Sequence, residues 1–230
     1  MKKLRNFFRG TYLGLMLIFL YAPILVLMVF SFNGSKSMAR WTGFPFKWYE
    51  ALMHDSTIMN ALIVTLSVAV ISALVATFIG TFAAIGIHSM KKRPRAVVEN
   101  ISRLPMVNPD LVTGISFMML FAALGIKGSY TRMLIAHITF NIPYVILSVG
   151  PKLRQMDRNL IDAAQDLGCT WMQAFWRVVI PEIRPGIVSG ALTAFTMSVD
   201  DFIISYFTAG TSSSTLAMTI YGMTKKRVSP

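Results

Sequence analysis

No charged residue occurs between Arg9 and Lys36, and residues 56–87 carry none either. Each run exceeds the roughly 20 apolar residues that an α-helix needs to cross a hydrocarbon core about 30 Å thick. Long, uninterrupted apolar runs of this kind indicate helical membrane spans. Composition agrees: 14% of residues are charged and 54% hydrophobic, with a mean hydropathy of +0.58. A soluble domain normally carries about 25% charged residues. The expected class is therefore an all-α integral membrane protein.

Five spans are expected within one domain covering residues 1–230, at about 12–32, 60–87, 106–124, 133–150 and 186–207. The basic start Lys2, Lys3, Arg5 and Arg9 precedes an apolar core longer than the roughly 7–15 residues of a signal-peptide core, and no clear small-x-small site follows, so the first helix reads as uncleaved. Pro105, Pro109 and Asp110 break the third span near its start, and Asn141 and Pro143 lie inside the fourth. An N-terminus on the cytoplasmic side puts 14 of the 22 Lys and Arg residues on inner segments, as the positive-inside rule favours. Lys225, Lys226 and Arg227 then fall outside, against that rule. The final Ser229-Pro230 reads as an N-cap followed by an N1 proline. The expectation is a sixth helix of which the chain stops short.

Two adjacent carboxylates stand out. Fourteen helical residues past Gly186 lift Asp200 about 21 Å from the inner boundary, into the outer half of the bilayer. A charge at such depth costs about 2.5–3.5 kcal/mol on insertion scales, so Asp200 and Asp201 should border a wet or protein-lined cavity. On a continuous helix Asp201 shares a face with Met197, Ser198, Ile204 and Ser205, while Asp200 lies one turn from Thr196 and two from Thr193. With Phe195, Phe202 and Tyr206 nearby, the pair suits an organic cation through ion pairing and cation–π contact. Asp110 is either a cavity residue at a broken helix or a carboxylate at a helix N-terminus. Trp41 lies among aromatic and basic residues at 40–49, a composition suited to the lipid headgroup level.

Other chemistries find little support. Net charge is +12, yet the basic residues cluster at the ends of apolar runs rather than forming a nucleic-acid footprint. The single Cys169 excludes an internal disulfide. There is no phosphate-binding Gly-Lys-Ser/Thr loop, and no nucleophile–base pair stands out. His54, His88 and His137 are too dispersed to suggest a metal site, and His137 reads as a hydrogen-bonded span residue. Neither a cofactor nor an enzymatic activity is expected of this chain.

The segment 151–185 carries the decisive pattern. It reads Asp162-Ala163-Ala164, three residues, Gly168, nine residues, then Val178-Val179-Ile180-Pro181. Ala163 and Ala164 favour helix, Gly168 suits a C′ position, and Pro181 should limit a second short helix starting near Trp171. The spacing resembles the cytoplasmic coupling loop of ABC-importer permeases, departing only in Asp162 where that family usually has Glu. Tyr21-Ala22-Pro23-Ile24, Ser31-Phe32-Asn33, Trp48-Tyr49, Pro109-Asp110, Leu124-Gly125-Ile126, His137-Ile138-Thr139-Phe140 and Ser198-Val199-Asp200-Asp201-Phe202 extend the resemblance along the chain. They are similar to the permeases of spermidine/putrescine ABC importers, in particular the second of the two permease subunits. The resemblance implies a type I permease bundle in a bacterial cell membrane, paired with a sister permease, two ATPase subunits and an external binding protein that delivers polyamine. It assigns Asp162, Ala163, Ala164, Gly168 and Pro181 to ATPase coupling, and sets Trp41 near the substrate entrance. The same machine could move another solute, such as thiamine or a metal. A self-contained channel would leave the docking segment unexplained.

Overall fold

The computed structural model describes residues 2–35, 40–157, 159–210 and 212–226. Helices account for nearly all of them, and no strand is present among the described residues. Two compact units result, one built from residues up to Met59 together with those from Gly222 onward, the other from Asn60–Tyr221.

In the first unit, α1 (Lys2–Phe30) holds a 21-residue stretch of mean hydropathy 2.7 that is long enough to cross a membrane. A loop then leads to α2 (Lys47–His54). Asn33 organises this loop from a fully buried position. Its Nδ2 donates to the Arg40 carbonyl at 2.7 Å, its Oδ1 accepts from the Thr42 amide at 2.9 Å, and its carbonyl accepts from Trp48 Nε1 at 2.7 Å.

The second unit contains most of α3 (Ser56–Ser89), then α4 (Lys92–Val107), α5 (Asp110–Ala123), α6 (Ser129–Gln155), α7 (Asn159–Asp166) and α8 (Trp171–Ala174). A wide π turn over Phe175–Val179 carries α8 into α9 (Ile180–Asp200), and α10 (Ile203–Thr208) and the first half of α11 (Leu216–Lys226) follow. The stretches Ser56–Ser89, Ser129–Gln155 and Trp171–Asp200 are each long and apolar enough to span.

Small residues bring α3, α6 and α9 together. A Cβ at Gly80 would stand 2.7 Å from Val145 Cβ, and one at Gly186 would stand 3.0 Å from the Ser148 carbonyl oxygen. Between membrane helices the lipid supplies no hydrophobic drive, so close van der Waals packing through such small residues holds them. Val145, Val149, Leu153, Val179, Ile183 and Ala194 form the buried seam.

The structure keeps some sequence expectations and corrects others. The third span is broken near its start as expected, but at Pro109 and not at Pro105, which lies inside α4: Met106 and Val107 end α4, and α5 leaves it at 100°. The cause is Pro109, which drives the preceding Asn108 out of helical geometry to φ −69°, ψ 138°. The fifth span does not run unbroken over 186–207. It starts earlier, passes Pro181 and Pro185 within α9, stops at Asp200, and resumes only at Ile203. Pro181 therefore does not end a short helix. It falls in the first turn of α9, just after the π turn, where a missing N–H costs little. Residues 151–185 hold the two short helices expected there, α7 and α8, with α6 continuing to Gln155 and α8 merging into α9. The Ser229-Pro230 reading and Arg227 lie outside the described residues.

Candidate functional site

The point where α9 breaks separates the two adjacent aspartates. Asp200 is the last residue of α9 and is exposed. Asp201 follows in extended geometry, φ −68°, ψ 127°, so the single helical face that would join it to Ser198 and Ser205 does not exist. Its carboxylate turns inward instead. Asp201 Oδ1 accepts from the Ile204 amide at 3.2 Å and Oδ2 from the Ser205 amide at 2.7 Å. Those are amides of the first turn of α10, which have no intrahelical partner, and a carboxylate cap satisfies them. The same Oδ2 lies 3.4 Å from His137 Nε2.

Behind this cap sits a buried polar cluster drawn from four helices. Ser72 of α3, His137 and Asn141 of α6, Ser198 of α9 and Ser205 of α10 are all at most 2% exposed. His137 Nδ1 lies 3.0 Å from Ser198 Oγ, and Nε2 lies 3.1 Å from Ser205 Oγ. Asn141 Nδ2 donates to Ser198 Oγ at 2.8 Å, and the Ser72 and Ser198 hydroxyls are 2.9 Å apart. Ser198 Oγ can donate to Nδ1, while Nε2 faces the carboxylate. Such a buried network holds its members in one arrangement, although Asn141 Oδ1 is left without a hydrogen-bond partner among the described residues. His137 is thus a hydrogen-bonded span residue. The sequence reading missed that Ser72, Asn141 and Ser205 join it. The available signal was the spacing of His137 and Asn141, one helical turn apart within an apolar segment.

The exposed side of α9 differs in character. A shallow open groove runs past Arg184, Ser189, Leu192, Thr193, Thr196 and Met197. Ser189, Thr193, Thr196 and Asp200 follow one another at helical spacing, giving a hydroxyl-bearing stripe that ends in a carboxylate. The Thr193 and Thr196 hydroxyls donate back to carbonyls one turn earlier, at 2.9 and 2.7 Å, which leaves their oxygen lone pairs facing outward. The Phe202 ring packs at a tilt against Tyr206 and Tyr221, with centroids 5.6 and 4.7 Å away.

The remaining candidates sit elsewhere. Asp110 opens α5 as an exposed first-turn carboxylate and shares no ion pair or hydrogen bond with either later aspartate among the described residues. Trp41, in the first unit, packs edge-on against Phe44 at 4.8 Å and Phe30 at 5.9 Å, and 44% of it is exposed. Asp162, Ala163 and Ala164 lie on α7 and Gly168 closes that helix with φ +88°. The Gly168 amide reaches the Gln165 carbonyl at 2.8 Å and the Cys169 amide reaches Ala164 at 3.0 Å, the paired bonds of a Schellman cap. Thr170 and Gln173 then form a reciprocal capping box that starts α8. Leu167, Trp171, Met172 and Trp176 stand more than half exposed on this segment.

The family model for the binding-protein-dependent transport system inner membrane component matches residues 76–226, a stretch running from α3 to α11. The chain belongs to this family. The spermidine/putrescine transport system permease protein PotC of Escherichia coli (strain K12) is 36% identical over 222 residues, which cover 96% of this chain and 84% of PotC. The putrescine transport system permease protein PotI of the same strain is 37% identical over 220 residues, covering 92% and 78%. Among solved structures, a bacterial alginate ABC transporter in complex with an alginate-pentasaccharide-bound periplasmic protein matches with a TM-score of 0.68 at 18% identity, covering 97% of this chain and 84% of that one. An amino acid ABC transporter with histidines matches at a TM-score of 0.57 and 20% identity, covering 81% and 86%. At those identities the structural likeness establishes the fold alone, the type I permease bundle. As a member of the binding-protein-dependent family, the chain is a multi-pass membrane transport subunit and not an enzyme.

Proposed function

We propose that this permease forms one half of the membrane pathway of an ATP-driven polyamine importer. It works beside a sister permease, with two ATPase subunits on the cytoplasmic side and a binding protein on the other. Support for the substrate comes from the names of PotC and PotI, which belong to spermidine/putrescine and putrescine systems. The observation that carries the reading is the unequal treatment of the two aspartates. Asp201 is consumed by the cap of α10 and by His137, whereas Asp200 ends an exposed hydroxyl stripe at the helix break. A polyamine is a flexible chain of ammonium groups. Carboxylates satisfy its charge, hydroxyl oxygens accept from its N–H groups, and aromatic faces attract it. Asp200 is the proposed contact for the cation, with Ser198 and Asp201 holding the break that presents it. Asp110 and Trp41 are proposed contacts at other levels of the path. The N-terminus is assigned to the cytoplasm, so that Asp162, Ala163, Ala164, Gly168 and Pro181 serve the ATPase interface, where the exposed Leu167, Trp171 and Trp176 offer it an apolar face.

The test is uptake of labelled spermidine by the reconstituted transporter. Asp200→Asn keeps size and removes charge, so uptake should fall about tenfold or more, a change equivalent to about 1.4 kcal/mol. Assembly and basal ATPase activity should persist. Unchanged spermidine uptake by the Asp200→Asn, Asp201→Asn double variant would remove the cation assignment and leave an ABC permease for another solute.

A further inference from the structure

Three oxygen-bearing side chains follow one another along one edge of α9. With about 3.6 residues per turn, Thr193, Thr196 and Asp200 lie within about 60° of one another around the helix axis. At about 1.5 Å of rise per residue, Asp200 stands about 6.0 Å along the axis from Thr196, and Thr196 about 4.5 Å from Thr193. The Thr193 and Thr196 hydroxyls donate to the Ser189 and Leu192 carbonyls at 2.9 and 2.7 Å. A hydroxyl has one proton to give, so each oxygen offers a ligand only its lone pairs. Asp200 closes α9, where the last carbonyls lack intrahelical partners and the helix dipole favours a cation. All three positions therefore accept N–H bonds, and none competes as a donor.

The surroundings suit a thin, partly apolar chain. Leu192 and Met197 flank the ladder on its two sides along the groove, 61% and 39% exposed. Arg184 lines the far end of the same groove, where its charge repels a cation. The attractive end is the one that leads to Asp200.

The inference rests on the polyamine reading given above. An extended chain advances about 1.2 Å per bond, which sets ammonium groups about 6 Å apart across four methylenes and about 4.8 Å across three. These are the two spacings of the ladder, taken in order from Asp200. We propose that Thr193 and Thr196 set the register of the substrate and distinguish a triamine from a diamine. The terminal ammonium of the four-methylene arm pairs with Asp200, the central ammonium donates to Thr196 Oγ1, and the terminal ammonium of the three-methylene arm donates to Thr193 Oγ1. Spermidine occupies all three positions. Putrescine, with four methylenes between two ammonium groups, spans Asp200 and Thr196 and stops short of Thr193.

The measurement is uptake of labelled spermidine and of labelled putrescine, each below saturation, by one preparation of the reconstituted transporter complex. The ratio of the two is then independent of how much transporter has inserted. Thr193→Val keeps the side-chain shape and removes the acceptor. It should lower spermidine uptake about tenfold and spare putrescine, the effect of losing one hydrogen bond to a charged group. Thr196→Val should lower both. Thr193→Ser and Thr196→Ser keep the hydroxyl and should keep most of the uptake. An unchanged ratio of spermidine to putrescine uptake in Thr193→Val, or full putrescine uptake in Thr196→Val, overturns the register. Wild type that takes up putrescine alone overturns the register and leaves the polyamine reading standing, whereas wild type that takes up neither removes both.

Discussion

Asp200 and Asp201 are chemically identical neighbours with opposite surroundings, and the difference sets what each substitution does. Asp201 accepts two backbone amides and faces His137 from a site where its side chain is 8% exposed. Asp201→Ala strands those amides and the imidazole, and a lost cap plus unsatisfied buried donors costs about 1–3 kcal/mol. For a chain of this size that lowers the melting temperature by roughly 2–4 °C per kcal/mol. His137→Ala should do the same through Ser198, Ser205 and Asp201. Asp200→Ala, by contrast, should leave the midpoint nearly unmoved. Thermal unfolding of the purified transporter in detergent reads the split directly, and equal destabilisation at the two aspartates would contradict the inward-turned geometry of Asp201.

At the scale of elements, α7 and α8 form a short helical corner whose ends are defined by sequence-local chemistry. Gly168 supplies the left-handed turn, and Thr170 with Gln173 restarts the chain. A side chain at Gly168 meets no neighbouring atom within 4 Å but must adopt φ +88°, at a cost of about 1–2 kcal/mol. Gly168→Asp combines that strain with a new charge beside the exposed Leu167 and Trp171. Substrate-stimulated ATP hydrolysis should fall severalfold while the variant still inserts and purifies. Full stimulation in Gly168→Asp would detach this corner from the ATPase.

The whole molecule must also have one orientation in its membrane, and its single cysteine offers the readout. Cys169 is partly exposed and lies between Gly168 and Thr170 at the proposed ATPase face. A membrane-impermeant maleimide should label it in inside-out vesicles and not in right-side-out ones. The reverse pattern would turn the topology over and place α7 outside the cell. At the same scale, α3, α6 and α9 depend on mutual contact at Gly80, Gly186, Gly190 and Val145, none of which a single helix could reveal by itself.

Much of this protein is local in origin. Apolar runs long enough to span a bilayer, the positive φ at Gly168 and the departure from helix before Pro109 all follow from a few consecutive residues, because hydropathy, glycine sterics and the proline ring act over one to a few turns. The helix over Asp162-Ala163-Ala164 and its Gly168 cap were legible for the same reason, whereas the place of Pro181 was not. The break after Asp200 was not. Periodicity carries a helix straight through to Phe207, and nothing within that stretch forbids it. What interrupts it is a carboxylate that finds His137 sixty-four residues away in sequence, backed by Asn141 and by Ser72 from a third helix. Sequence alone determined that two adjacent acidic residues stand within an apolar segment of a membrane protein. Only the tertiary structure decided that one is buried as a cap and the other left open, because satisfying a buried charge requires partners that the chain assembles from distant segments.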